Sequence, residues 1–139
     1  MEWLRSEIKV KARHHGLHEI TEHVAEELER LDITDGMVTL YLQHTTAGLC
    51  ISESFDTSTV HDLEAFLENL APKGESNNHH AAEGEDISAT NKRAVVTGVS
   101  LSIPIENGRM MLGTYQGVFL CEHRRQPIER TLLLRVLTI

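Results

Sequence analysis

Apolar residues recur along the first third of this chain with two different periods. Leu4, Ile8 and Val10 stand among polar residues in an alternating pattern, which predicts a strand that ends before Gly16. From Ile20 onward the apolar positions follow helical spacing, with charged residues on the opposite face, and this pattern predicts an amphipathic helix. Its apolar face consists of Ile20, Val24, Leu28 and Leu31.

Strand and helix patterns alternate through the rest of the chain. Residues 37–42 and 49–51 have the apolar character of buried strands, and a helical pattern follows over 60–70. Three polar residues before that helix can cap it: Asp56, Thr57 and Ser58. The later predicted elements are a short helix over 91–96, strands over 99–105, 112–122 and 131–137, and an Asn107-Gly108 turn.

These elements predict the fold class. Six strands with two or three helices, and with the last strands following one another in sequence, indicate an α+β fold. We expect a mostly antiparallel sheet of about six strands covered by two or three helices. The 139 residues fit a single domain over 1–139.

Composition and charge narrow the classes of partner. Hydrophobic residues make up 40% of the chain and charged residues 24%, as in ordinary globular domains. The net charge is −8, and the largest basic cluster is Arg124-Arg125, so we expect no nucleic-acid partner. Because no apolar run approaches the roughly 20 residues that a membrane span needs, we also expect no membrane association. Residues 1–7 carry charges where a signal peptide needs an apolar segment, so we expect a cytoplasmic location.

The two cysteines and nine histidines could supply chemistry. Cys50 and Cys121 lie in apolar strand-like runs, which favours buried thiols over a disulfide. Most histidines, His123 among them, are expected on the solvated surface. His44 differs, because it follows a buried strand immediately and precedes two threonines. Strand ends favour the placement of functional groups, although a hydrogen-bonded histidine that closes the strand explains this position equally well.

A polar stretch from residue 73 to about 86 has almost nothing to bury. It contains imidazole and carboxylate groups that suit a divalent metal, namely His79, His80, Glu83 and Asp86. Their spacing matches no zinc signature, so a solvated acidic loop remains an alternative. Further along, Gly113 and Gly117 lie in or beside a strand, which indicates either a bulge or the close approach of a ligand or a neighbouring subunit, with Gln116 available as a donor.

Together these motifs resemble the YjbQ family over nearly the whole chain. The resemblance implies a compact α+β fold that assembles as a homotrimer, and a secondary thiamine-phosphate synthase activity. The residues that carry it are Gln43-His44-Thr45-Thr46-Ala47, Glu53 and Asp56 leading to Asp62, His80-x-x-Glu83-Gly84-x-Asp86, Gly98-x-Ser100 with Pro104 and Gly108, and Gly113-Thr114-Tyr115-Gln116-Gly117 with Glu122.

The family pattern implies a site with three histidines that holds a metal. By position the first two are His44 and His80, but the third position holds Asn91. An amide oxygen is a poorer ligand than imidazole for zinc, whereas Mg²⁺ could be held with help from Glu83 or Asp86. A divalent ion, Mg²⁺ or Zn²⁺, is therefore the cofactor that the resemblance implies.

The implied reaction joins a pyrimidine pyrophosphate to a thiazole phosphate and releases pyrophosphate, so the partner is a phosphorylated small molecule. We expect His44, His80 and Glu83 to be catalytic. Hydroxyl and amide groups would bind the substrate phosphates, at Thr45, Thr46, Ser100, Thr114 and Gln116. Two alternatives stay open: a protein that binds a metal or a phosphorylated metabolite without turnover, and a metal-assisted phosphoester hydrolase.

Overall fold

A computed structural model describes residues 1–74 and 86–139 of the chain. Within these ranges eight strands and three helices follow one another. In chain order they are β1 (Glu2–Val10), β2 (Gly16–Glu19), α1 (Thr21–Arg30), β3 (Gly36–Leu42), β4 (Ala47–Glu53), α2 (Thr57–Leu70), α3 (Ile87–Thr97), β5 (Ser100–Glu106), β6 (Arg109–Met110), β7 (Gln116–Glu122) and β8 (Arg130–Thr138).

The strands form two sheets in which every neighbouring pair is antiparallel. The larger sheet has the order β1-β8-β3-β5-β6, and the smaller has the order β2-β7-β4. Strand β8 lies between β1 and β3 and pairs with both, so the C-terminal strand connects the N-terminal strand to β3 within one sheet. The α+β prediction is therefore confirmed, with two sheets in place of the single sheet that we expected.

One cluster of buried side chains joins both sheets and α1. Strands β3 and β8 bury alternate residues, as the period of a strand with one covered face requires. Val24 and Leu28 of α1 are almost completely buried in the same cluster. Each such side chain contributes roughly 1.5–3 kcal/mol when it leaves water, so this shared core determines how the two sheets face each other.

A second, smaller cluster lies on the other face of the β2-β7-β4 sheet. It consists of Leu17, Phe119 and Cys121, with Cys50 and the apolar side of α2 packed against them. Helix α2 is a partial cover, because none of its fourteen residues is fully buried. The small sheet is thus covered by the main core on one face and by α2 on the other.

The boundaries of α3 and β7 differ from those predicted. Helix α3 begins at Ile87, because the Asp86 side chain accepts a hydrogen bond from the backbone N–H of Ala89 at 3.1 Å and caps the helix. Strand β7 begins only at Gln116, because Gln116 forms a tight turn with Gly113. The Gln116 side-chain oxygen accepts from the Gly113 N–H at 2.7 Å, and the Gln116 N–H donates to the Gly113 carbonyl at 3.0 Å.

Candidate functional site

Buried polar side chains collect at one end of the two sheets, beside α3. Within residues 1–74 and 86–139, six polar or charged residues are buried. They lie just before β4, at the end of β7, at the start of β8 and on α3, and they are Thr46, Thr90, Arg93, Glu122, His123 and Arg130. Buried charges are costly unless they are paired, so such a concentration marks a candidate functional site.

An open cleft of about 930 Å³ lies at this end of the molecule. The β3–β4 connection provides one wall, α3 provides another, and the β7–β8 connection closes the third side. Among its lining residues are Gln43, His44, Thr45, Thr46, Asn91, Arg124, Ile128 and Arg130. Because these residues come from two connections between strands, from the start of β8 and from one helix, the cleft depends on the complete fold.

Arg130 is the centre of a hydrogen-bond network at the base of the cleft. Its Nε donates to Oε1 of Glu122 at 2.9 Å, and its Nη2 forms an ion pair with Oε2 of the same carboxylate. Nη1 also donates to Oγ1 of Thr46 at 2.8 Å, and Nη2 donates to the Thr46 carbonyl at 3.1 Å. The remaining N–H of Nη1 points at Nδ1 of His44, at 3.3 Å. Four of the five guanidinium N–H groups therefore face oxygen acceptors, and the fifth faces a ring nitrogen of His44.

The ring of His44 is held between two N–H donors. Its Nε2 lies 2.8 Å from the backbone N–H of Thr131, while its Nδ1 faces the Arg130 guanidinium. A neutral imidazole can accept at only one nitrogen, and an imidazolium at neither. Burial lowers the pKa of His44, as does the charge of Arg130, whereas Glu122 acts in the opposite direction. The site therefore holds His44 in its neutral form.

His123 is a second buried histidine at this end of the sheets, and the prediction that it lies on the surface was wrong. It is only 4% exposed, and its Nε2 lies 3.3 Å from Oγ1 of Thr97. Burial and the nearby charges of Arg93 and Arg130 lower the pKa of His123 to about 3. A polar residue at the end of a buried strand is the same signal that identified His44, and it could have identified His123 as well.

Two polar atoms of cleft-lining residues are buried without a hydrogen-bond partner in the described part of the chain. They are Oδ1 of Asn91 and Nε of Arg124. An unsatisfied buried polar group costs about 1–3 kcal/mol, so such groups are uncommon and need a reason. One acceptor and one cationic donor in the walls of a single cleft are consistent with a ligand that carries both an anionic oxygen and an N–H or O–H group.

The structure brings four predicted site residues together and leaves three elsewhere. His44, Thr45, Thr46 and Asn91 all line the cleft. Ser100, Thr114 and Gln116 do not, although Ser100 pairs with Tyr41, which does. His79, His80 and Glu83 lie outside the residues that the structure describes.

Thr114 and Gln116 lie near the beginning of β7, whereas Glu122 at its end belongs to the cleft network. At about 3.3 Å per residue, the seven-residue strand separates them by roughly 20 Å. The close approach that the sequence indicated at Gly117 is made by side chains of the same chain. A Cβ there would lie 2.6 Å from the Glu19 carboxylate and 2.7 Å from the Ser54 side chain.

The described residues do not fit a divalent metal centre by themselves. Among them, no three His, Cys, Asp or Glu side chains lie close enough together to hold one ion. Both ring nitrogens of His44 face N–H donors, and Asp86 accepts hydrogen bonds from backbone N–H groups. The guanidinium group of Arg124 also adds positive charge to a cleft wall, which disfavours a cation beside it.

No helix within 1–74 and 86–139 is long and apolar enough to cross a membrane.

A family model described as UPF0047 protein YjbQ-like matches residues 6–138. The UPF0047 protein sll1880 of Synechocystis sp. is 36% identical over 120 residues, which cover 86% of this chain and 82% of that protein. The UPF0047 protein YjbQ of Escherichia coli O157:H7 is 32% identical over 123 residues, with 88% of each chain covered.

Solved structures have the same fold. A conserved hypothetical protein from Thermus thermophilus superimposes with a TM-score of 0.80 at 30% identity, over 95% of this chain and 99% of that one. A YbjQ-like protein of unknown function from Sulfolobus solfataricus P2 gives a TM-score of 0.88 over 99% of each chain, and at 22% identity this likeness concerns the fold alone.

Proposed function

This chain belongs to the YjbQ-like UPF0047 family, and from that premise we propose that its cleft binds and transforms a phosphorylated small molecule. The observation that carries the proposal is the concentration of buried polar residues around His44, with arginines in the walls of the cleft. The whole chain has a net charge of −8, so this cationic wall is a local feature. Local cationic groups of this kind favour an anionic ligand.

Arg124 is the residue that we expect to bind the phosphate. Its Nε has no hydrogen-bond partner in the described residues, and a guanidinium group suits phosphate because it donates in a planar fork. Arg130 has a different role, because Glu122 neutralises its charge and four of its five N–H groups already donate to oxygen atoms of Glu122 and Thr46. Thr45, which is exposed at the cleft, adds a hydroxyl donor, and Asn91 adds an amide acceptor.

The finer proposal is a thiamine-phosphate synthase-like reaction, in which pyrophosphate leaves a pyrimidine as the thiazole phosphate is joined to it. Such a reaction needs the charge of the leaving group neutralised, and Arg124 is suited to this. Because His44 is held neutral, it is poorly suited to protonate the leaving group. We therefore assign His44 to accept a proton or a hydrogen bond, with Arg130 as the residue that positions it.

The metal that the family resemblance implies stays a prediction. His80 and Glu83, which would have to supply ligands, lie outside the described residues. Asn91 could offer its side-chain oxygen to a hard cation, and the same oxygen could instead accept from a ligand N–H group. Metal analysis of protein purified without a histidine tag separates the two, and bound metal in the wild type that is lost in Asn91→Ala would support the cation.

A second candidate is a protein that binds a phosphorylated metabolite without turnover. It is favoured by the two N–H donors that already face the His44 ring, since a ring so engaged must move before it can take a proton. The two candidates share the same anion site and differ only in whether the bound molecule then reacts.

The deciding experiment combines binding with turnover. Calorimetric titration with inorganic pyrophosphate should show binding to wild type that Arg124→Ala weakens roughly tenfold or more, since hydrogen bonds to charged groups contribute about 1.5–3 kcal/mol. Arg109→Ala removes an equivalent charge from an exposed position of β6 that does not line the cleft, and it should leave the affinity unchanged. Equal affinity of wild type and Arg124→Ala would exclude the anion site.

Turnover is measured as pyrophosphate release from the pyrimidine pyrophosphate in the presence of the thiazole phosphate. If the protein is an enzyme, His44→Gln should lower the rate by about 10²–10⁴ while pyrophosphate still binds. Binding without release, with and without added Mg²⁺ or Zn²⁺, would instead support the metabolite-binding protein.

A further inference from the structure

Cys50 and Cys121 form a close pair of thiols on neighbouring strands. In the register of β4 and β7, Cys50 lies opposite Phe119 and Cys121 lies opposite Gly48, so the two cysteines are diagonal neighbours. The Cys121 thiol donates to the sulfur of Cys50, with 3.6 Å between the two sulfur atoms. Both are free thiols, as the sequence predicted, and they are the only cysteines in the chain.

We propose that this pair is a thiol-modification site, which a low-molecular-weight disulfide converts into an intramolecular Cys50–Cys121 disulfide. The two sulfur atoms are already in contact on adjacent strands, so the bond requires them to approach from 3.6 Å to about 2 Å. The site is separate from the cleft and does not depend on the proposed function.

The two cysteines differ in access. Cys50 is partly exposed, whereas Cys121 is completely buried. Helix α2 covers the pair through Val60, Leu63 and Leu67, and none of the helix residues is fully buried. An incomplete cover of this kind leaves Cys50 as the sulfur that a small reagent meets first.

The more exposed thiol, Cys50, is also the more acidic of the two. The hydrogen bond from Cys121 lowers the pKa of Cys50, while burial opposes that effect. The same hydrogen bond, together with burial, raises the pKa of Cys121. Since the thiolate is the nucleophile in disulfide exchange, Cys50 is the attacking thiol and Cys121 the resolving one.

The exchange proceeds in two balanced steps. The Cys50 thiolate attacks one sulfur of the external disulfide, which leaves a mixed disulfide and releases one external thiolate that takes up a proton. Cys121 then loses its proton and attacks the Cys50 sulfur, so that the second external thiol leaves. The two cysteines are oxidised, and one external disulfide is reduced to two thiols.

The experiment exposes folded protein to glutathione buffers of increasing oxidised fraction, then unfolds it in the presence of N-ethylmaleimide and measures the intact mass. As the oxidised fraction rises, the wild type should change from two alkylated thiols to none, and its mass should show no covalently bound glutathione. Cys121→Ser should instead accumulate one glutathione on Cys50. Cys50→Ser should keep its remaining buried thiol reduced under the same conditions.

Three outcomes would overturn the proposal. Wild type could stop at the mixed disulfide, it could form disulfide-linked dimers on a non-reducing gel, or it could form the bond only after urea has unfolded it. Circular dichroism of each sample before alkylation establishes that the exchange took place in folded protein. Each Cys→Ser variant leaves a single thiol, so its intact mass reports on one named cysteine, and a variant that circular dichroism shows to be unfolded is set aside while the wild type still decides.

Discussion

At the scale of single residues, the candidate site depends on charges that are buried because they satisfy one another. Arg130 and Glu122 each have 1% of their surface exposed, and each provides the opposite charge that the other needs when it is buried. Charged side chains usually lie on the surface, so periodicity gave no reason to place these two inside. A weak signal exists, because Glu122 ends one apolar run and Arg130 begins the next. His44 and its two threonines could be predicted because they follow a strand whose burial was clear.

The Arg130–Glu122 pair gives a prediction about stability. Arg130→Ala leaves the Glu122 carboxylate buried without its partner, so we expect the free energy of unfolding to fall by about 3–5 kcal/mol. The double variant Arg130→Met/Glu122→Leu removes both charges and fills similar volume, so it should be much less destabilised. Urea unfolding followed by circular dichroism measures both, and a double variant that is less stable than Arg130→Ala would contradict this account.

His123 gives a prediction about pH. Its pKa is about 3 in the folded protein and near 6.5 in an unfolded chain, so the unfolded chain binds more protons between these values. Stability from the neutral ring is therefore complete above pH 6.5 and falls as pH decreases, by about 1.4 kcal/mol per pH unit.

The matched variant is His123→Gln, which keeps a polar side chain but cannot titrate. Urea midpoints at pH 7.5, 6 and 5 should show wild type losing stability faster than the variant, so the difference between them shrinks toward low pH. Carboxylates titrate equally in both proteins over this range. Parallel curves would mean that His123 takes up its proton in the folded state.

At the scale of elements, local patterns predicted most helices and strands but not how they pair. The helix over residues 20–31 and the strand over 37–42 appear as α1 and β3 because one face of each is buried. Two short strands, β2 and β6, were missed because four and two residues are too few to show a period. The division into two sheets depends on the pairing of β8 with β1 and β3, which are distant in sequence.

Asp86 illustrates a role that only the structure could assign. Its carboxylate accepts from the Ala89 N–H at 3.1 Å and from the Gly74 N–H at 2.6 Å, so it caps α3 and ties it to the residues after α2. We expect Asp86→Ala to lower stability by about 1 kcal/mol or more, because the helix loses its cap. Asp86→Asn keeps one acceptor oxygen for the Ala89 N–H but places an NH2 group against the Gly74 N–H, so its stability should lie between those of wild type and the Ala variant. Thermal unfolding of the three proteins measures this, and an Asn variant as stable as wild type would mean that the contact with Gly74 contributes nothing to stability.

At the scale of the whole molecule, the separation of Thr114 and Gln116 from the cleft suggests how the expected homotrimer could be arranged. These residues lie at the opposite end of β7 from Glu122, beside an exposed aromatic pair. Phe55 is 80% exposed and Tyr115 59%, and their rings meet edge to face with centroids 5.7 Å apart. A neighbouring subunit that covered this pair would bring Thr114 and Gln116 to a second chain.

Sedimentation velocity tests this arrangement directly. We expect wild type to sediment as a trimer, and Phe55→Ser/Tyr115→Ser to shift toward the monomer because the contact loses its apolar surface. Phe66→Ser removes a comparably exposed aromatic side chain from α2 and should stay trimeric. A wild type that sediments as a monomer would remove the trimer itself. A trimer unaffected by the double substitution would place the subunit contact elsewhere. Thr114 and Gln116 would then not reach a neighbouring subunit's cleft through the surface around Phe55 and Tyr115.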